Sequence, residues 1–263
     1  MLPYNYAQAQ AVIHRAVQLL TLIGNNLAVP KPDDSQNTSR LLPASGSLVG
    51  ETFQLNETSL TAKIELHDLA LVIEGAGQRL NLEGLTWKSA KQWIKDLFHI
   101  RELKGIHYEL DFTLIDAYTF PDLEEEQLKH WIAHRSLANE ALQHLNRSLC
   151  AYSEPRIWPH HFDTGTYYEL ATDETGKVVK TIGAGFAVAD AIVSEPYFYL
   201  YGWDHYDQLS YENRATLPAG KWILKDHWQG VVLPISSIPE EREDFVFQFL
   251  DTAQAWYKKA LRE

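Results

Sequence analysis

The chain has 263 residues, of which 45% are hydrophobic and 22% charged; 23 Lys and Arg stand against 35 Asp and Glu, for a formal charge of −12. A chain of this length can bury a sizeable core without disulfides or metal staples, and an acidic protein repels phosphate backbones, which argues against general nucleic-acid binding. The single cysteine, Cys150, excludes an intrachain disulfide and a thiolate zinc cluster. No run of about 18 apolar residues is present to span a membrane. "MLPYNYAQAQ" lacks a basic segment followed by an apolar run, so a cytoplasmic location is expected.

Residues 6–24 read as a helix: Val12, Ala16, Leu19, Leu20 and Ile23 recur at helical spacing, and Gly24 reads as its stop. Residues 28–47 hold three prolines in a polar, turn-rich stretch and read as a long loop. The period then changes to two. "TAKIEL", "LALVIEG" and "QRLNLEG" are short strand candidates, "TWKSAKQWIKDLF" is a short helix, and "GIHYELDFTL" returns to strand. Pro121 and Asp122 open a long helix to about Cys150, with the acids Glu124, Glu125 and Glu126 placed where a helix dipole favours them.

Strands are expected again over "FDTGTYYELAT", "VVKTIGAGFAVAD" and "EPYFYLYGW", with weaker ones at "GKWIL" and "GVVLP". A closing helix is expected from Pro239 and Glu240, with the acids Glu240, Glu241, Glu243 and Asp244 at its start and an apolar stripe of Val246, Phe249, Ala253, Trp256 and Ala260. Most connections are too short for crossovers. The expected class is therefore α+β, with largely antiparallel sheets packed against long amphipathic helices. Two halves, 1–150 and 151–263, are expected to form one intimately packed unit.

The stretch with most chemical character is "RIWPHHFD", residues 156–163. If residues 160–170 are extended, His160, Phe162, Tyr168 and Leu170 share the apolar face, while His161, Asp163, Tyr167 and Glu169 share the other. His161 and Asp163 could then be two metal ligands, or a general base and its orienter, with Arg156 holding an anionic group. His205 or His227 would complete the set, and a divalent metal is the cofactor such a set would take. The alternative is a structural corner at Pro159 with a histidine bonded to backbone, which is the commoner fate of such pairs.

"PYFYLYGW" places Tyr197, Tyr199 and Tyr201 on one strand face; with Tyr167 they would make a wall for rings, sugars or acyl groups, or simply pack a sheet. Gly183, Gly185, Ala187 and Ala189 leave one face of their strand nearly bare, which lets a helix or a ligand approach. The segment lacks the third glycine of a dinucleotide fingerprint, since position 188 is Val. His130 and His134 have zinc-protease spacing without the glutamate, position 131 being Trp, and read as boundary residues of the long helix.

The Trp-Pro-His-His-Phe-Asp run, the aromatic strand and the closing helix after "VVLPISSIPEE" resemble an uncharacterised group of bacterial proteins sharing a conserved domain of unknown function. That resemblance implies a single bacterial cytoplasmic unit and transfers no catalytic residue. Two functional expectations stand side by side: a small-molecule enzyme or metal-assisted hydrolase around residues 156–163, and a non-catalytic small-ligand-binding protein using the tyrosine face. A purely structural protein is the third.

Overall fold

The computed structural model describes residues 6–239 and 244–262; the expected acids Glu240, Glu241 and Glu243 lie outside them. The fold is α+β, with four helices and two antiparallel sheets among the described residues. The helices are α1 (Tyr6–Leu27), α2 (Trp87–Phe98), α3 (Glu125–Leu149) and α4 (Asp244–Ala260). The chain divides into two compact units. The first runs through Ser136 and takes in Arg156–Phe162; the second comprises Leu137–Pro155 and the chain from Asp163 onward. The division thus falls inside α3 and again between Phe162 and Asp163.

The first unit holds a five-stranded meander in sequence order: β1 (Arg40–Leu42), β2 (Ser47–Leu55), β3 (Thr58–Glu65), β4 (Ala70–Glu74) and β5 (Gln78–Asn81). β2 is a strand that the sequence reading left without an element. Its partners explain it: Leu48 pairs with Ile64 and Phe53 with Leu60, so its apolar residues are buried by β3. α1 lies against β2 and β3 with Val12, Ile13, Ala16, Leu19, Leu20 and Ile23 buried. It does not stop at Gly24. A Cβ there would come within 2.3 Å of the Gln36 carbonyl oxygen, so the glycine admits the 35–37 turn against the helix instead of ending it.

The expected strand at 105–114 does not form a ladder. Its aromatic side chains pack instead: Tyr108 stacks on His160 at 5.1 Å, and Phe112 meets His14 edge-on at 4.8 Å beneath the Arg15 guanidinium. The carbonyls of Lys104 and Gly105 accept from Asn26 and Asn25 at the end of α1. Side-chain amides thus take the place that a neighbouring strand would fill. α2 is capped by Thr86, whose hydroxyl accepts from the Ser89 N–H at 3.1 Å. α3 starts at Glu125 rather than at Asp122, with Glu125 and Glu126 in its first turn.

The second unit is built on β7 (Thr164–Thr172), β8 (Val178–Ala187), β9 (Tyr197–Asp204), β10 (Lys221–Lys225) and β11 (Trp228–Pro234), in the order β10-β11-β9-β8-β7; a two-residue strand, β6 (Arg156–Ile157), precedes them in the chain. One face of this sheet carries Tyr168, Ile182, Ala184, Phe186, Phe198, Leu200, Val231 and Leu233. They form one core with Ala138, Leu142 and Leu145 of α3 and Val246, Phe249, Ala253 and Tyr257 of α4. Leu170 was expected in that core and is 37% exposed. The β7–β8 register shifts between Glu169 and Ala171, and this bulge takes Leu170 out of the inward row. No helix among the described residues is long and apolar enough to cross a membrane.

In the first unit His14 is 6% exposed, and its Nε2–H donates to the Pro159 carbonyl at 2.8 Å. Burial lowers its pKa from 6.5 to about 4, against the opposing pull of that carbonyl and of Asp111. Between those two values the unfolded chain binds a proton that the folded chain refuses. The stability from neutral His14 is complete above pH 6.5 and is lost as pH falls toward 4. The urea midpoint should therefore drop over that interval, with His14 contributing on the order of 2 kcal/mol by pH 4.5. His14→Gln, which keeps a donor but does not titrate, should flatten the profile. An unchanged profile in the variant would count against this account.

Candidate functional site

Residues 156–162 of the "RIWPHHFD" stretch anchor the first unit. Only Arg156 and Ile157 are strand, and Ile157 bridges Ser39. The chain then turns: the Phe162 N–H bonds back to the Trp158 carbonyl at 2.9 Å, and Phe162 sits at φ 53°. β7 begins only at Thr164, so the extended run assumed for 160–163 is absent. The Pro159 carbonyl accepts from both His14 and Gln18, the latter at 2.7 Å. Phe162 is fully buried, stacked on His14 at 4.3 Å and 4°, and lies under the Arg135 guanidinium. Arg135, itself fully buried, donates to the Phe162 carbonyl at 2.5 Å.

This geometry separates the residues expected to act together. His160 is half-buried and His161 is exposed. The left-handed turn at Phe162 breaks the alternation that would have put His161 and Asp163 on one face, and the two fall in different units. Asp163 accepts from the Tyr199 hydroxyl at 2.6 Å. Arg156 donates to the Ser35 carbonyl and the Thr38 hydroxyl, both at 3.2 Å, and so braces the 35–38 turn. His205 Nε2 lies 3.3 Å from the Lys177 ammonium; an ammonium can only donate, so the histidine lone pair is the acceptor. Among the described residues, no group of three or more His, Cys, Asp and Glu is arranged to hold a metal ion, so the set His161, Asp163 and His205 is not assembled. His134 is packed against Tyr6 at 5.4 Å, and burial lowers its pKa to about 4, as suits a boundary histidine.

The second unit gathers different groups. Both α3 and α4 pack on one face of its sheet, and the other face carries the expected tyrosine row. Register places Tyr167, Gly183 and Tyr201 side by side, then Glu169, Thr181 and Trp203. The bare face of β8 receives rings, not a helix. A Cβ on Gly183 would lie 2.4 Å from the Tyr201 ring, and one on Gly185 would lie 2.5 Å from the Tyr199 hydroxyl. The glycines therefore let the tyrosines of β9 lie flat across the neighbouring strand.

The three tyrosines are not equivalent. Tyr197 donates to Asp190 at 2.8 Å, and Asp190 also accepts from the N–H groups of Ile192 and Val193, which fixes the 188–196 loop. Burial, together with the charge of Asp163, holds the Tyr199 hydroxyl far above its ordinary pKa, so it remains a proton donor to that carboxylate. Tyr197 and Tyr199 thus belong to the frame. Tyr201 and Tyr167 instead line a groove of about 580 Å³ with Trp203, Trp228, Thr181, Asp207 and Asp226. Tyr201 meets Trp228 at 6.5 Å and 64°, making a corner of two rings, and it stacks parallel to Tyr199 at 6.2 Å.

Trp203 and Trp228 were missed by the sequence reading. Trp203 had a signal, since it stands two residues after Tyr201 and continues the same strand face. Trp228 had none, because it reaches the groove only through the β9–β11 pairing. Asp204 and His227 also lie at the groove. Burial alone would raise the Asp204 pKa, but the Tyr206 N–H and the Lys180 ammonium at 3.0 Å outweigh it and hold the group below the usual carboxylate range. Asp204 is therefore a buttress of the turn after β9, not a proton carrier.

The two roles for 156–163 differ in what mutation does. Phe162→Ala should cost about 3–5 kcal/mol in denaturant unfolding, as expected for a buried aromatic. His161→Ala should change stability by no more than about 0.5 kcal/mol. The reverse order would restore His161 as the important residue.

Compared with protein-family models, curated proteins and solved structures, the chain matches none.

Proposed function

We propose that this protein binds a small organic molecule by stacking it on the exposed aromatic face of the second sheet. The observation that carries this reading is the convergence of Tyr167, Tyr201, Trp203 and Trp228 on one groove. Tyr167 and Trp203 are 46% and 41% exposed there. Large rings left in water on a rigid sheet are a standing free-energy cost unless something covers them in use. The volume falls within the span of roughly 300–1,000 Å³ typical of small-ligand pockets. Tyr201 is also held in place: it lies over Gly183 and beside Tyr199, which is itself tied to Asp163. Little rotamer freedom then remains to be lost on binding.

The enzymatic reading of His161, Asp163 and Arg156 has less behind it, since Asp163 and Arg156 are already committed to partners inside the fold. Ligand-detected NMR with a panel of small aromatic and sugar probes tests the binding reading. At least one probe should saturate the wild-type protein, and its affinity should fall about five- to hundredfold in Trp203→Ala, the range expected for a lost ring stack of about 1–3 kcal/mol. Saturation that is unchanged in Trp203→Ala, or no saturable probe at all, would refute it.

A further inference from the structure

The charge around the groove says more than its rings do. Its rim carries the carboxylates of Asp207 and Asp226, both exposed, and of Asp204. No Lys or Arg side chain is among the residues that line it. Asp204 is matched by Lys180, which leaves Asp207 and Asp226 as the charges facing the opening. Lys177 is turned to His205, and Lys225, which precedes Asp226 and pairs with Trp228, is not among the lining residues. Behind the rim, Tyr201 and Trp228 meet edge to face at 64°, and both rings line the groove. A ring face is the negative end of the aromatic quadrupole. Rings and carboxylates therefore act in the same direction: both attract positive charge, and both repel phosphates and carboxylates.

A further polar group is available at the same groove. Thr181 is 1% exposed, shares the face of Trp203 by register and lines the groove, and its hydroxyl has no hydrogen-bond partner among the described residues. A hydroxyl left over in this way can donate or accept, so it offers the ligand, or a water beside it, a polar contact without setting the sign of its charge.

We infer that the groove is a site for an organic cation, a ligand whose ammonium group seats in the Tyr201–Trp228 corner under the Asp207 and Asp226 carboxylates. The inference rests on the binding role proposed above and adds the sign of the ligand. Ring burial alone would accept neutral and charged molecules alike. The acidic, lysine-free rim is what discriminates between them.

Three probes that share one ring and differ in charge make the test: benzyltrimethylammonium, benzyl alcohol and benzoate, titrated against the full chain by tryptophan fluorescence and ligand-detected NMR. The ammonium probe should bind at least tenfold more tightly than the alcohol, and benzoate should show no saturation. Affinity for the cation should weaken as salt rises from about 20 to 500 mM, because rim charges are screened. The double variant Asp207→Asn, Asp226→Asn should lose most of the preference for the cation while still binding the alcohol. Both positions are exposed, so the variant should fold; an unchanged melting temperature would establish that. Equal affinity for ammonium and alcohol, abolished in Trp203→Ala, would overturn the cation and leave the groove standing. Failure of all three probes to saturate would overturn both.

Discussion

The Pro159 carbonyl is the point on which the first unit closes. It takes two hydrogen bonds, from His14 and Gln18 of α1, four residues apart on one buried face. Residues well over a hundred positions away in the chain thereby satisfy polar groups that α1 carries into the core. An imidazole and an amide buried without such an acceptor would each cost about 1–3 kcal/mol. The same turn delivers Phe162 to the His14 ring and gives Arg135 a carbonyl in the core. Each of these groups is tolerable inside only because the others are there. The cluster is therefore cooperative in the sense that polar networks usually are.

That dependence explains why the most chemically suggestive stretch of the sequence serves the fold. Histidine, aspartate, tryptophan and arginine are the vocabulary of active sites, and they are equally the vocabulary of a buried polar corner. What separates the two uses is whether the hydrogen-bonding capacity is spent or kept. At 156–163 it is largely spent. Arg156 braces a turn, Asp163 holds Tyr199, and the proline carbonyl is doubly bonded. On the second sheet the rings of Tyr167, Trp203 and Trp228 keep contact surface toward a groove. The glycines of β8 are part of that arrangement. By giving up side chains they let Tyr199 and Tyr201 lie across the strand, which gives the groove a firm floor.

Asp163 belongs to the sequence reading and also lies behind the candidate groove. It was singled out as a ligand or an orienter, and it does orient a neighbour, though a tyrosine rather than a histidine. Its carboxylate fixes the Tyr199 hydroxyl. The Tyr199 ring lies parallel to Tyr201, and Tyr201 forms the groove wall.

The sequence by itself determined the α+β class, the antiparallel pairing, most helices and strands, and the alternation that puts Tyr197, Tyr199 and Tyr201 on one face. These follow from local periodicity and short connections, which act between near neighbours in the chain. Tertiary structure decided what local pattern could not. Gly24 lies inside a helix and admits the 35–37 turn against it, and 105–114 packs through aromatic side chains against His14 and His160. The alternation of 160–163 fails because Phe162 is turned into a stack with His14. Trp228 joins Tyr201 only through the pairing of β9 with β11. In each case the deciding partner lies far away in sequence. The energy of a buried hydrogen bond or ring stack then exceeds the few tenths of a kcal/mol by which local propensity prefers one conformation over another.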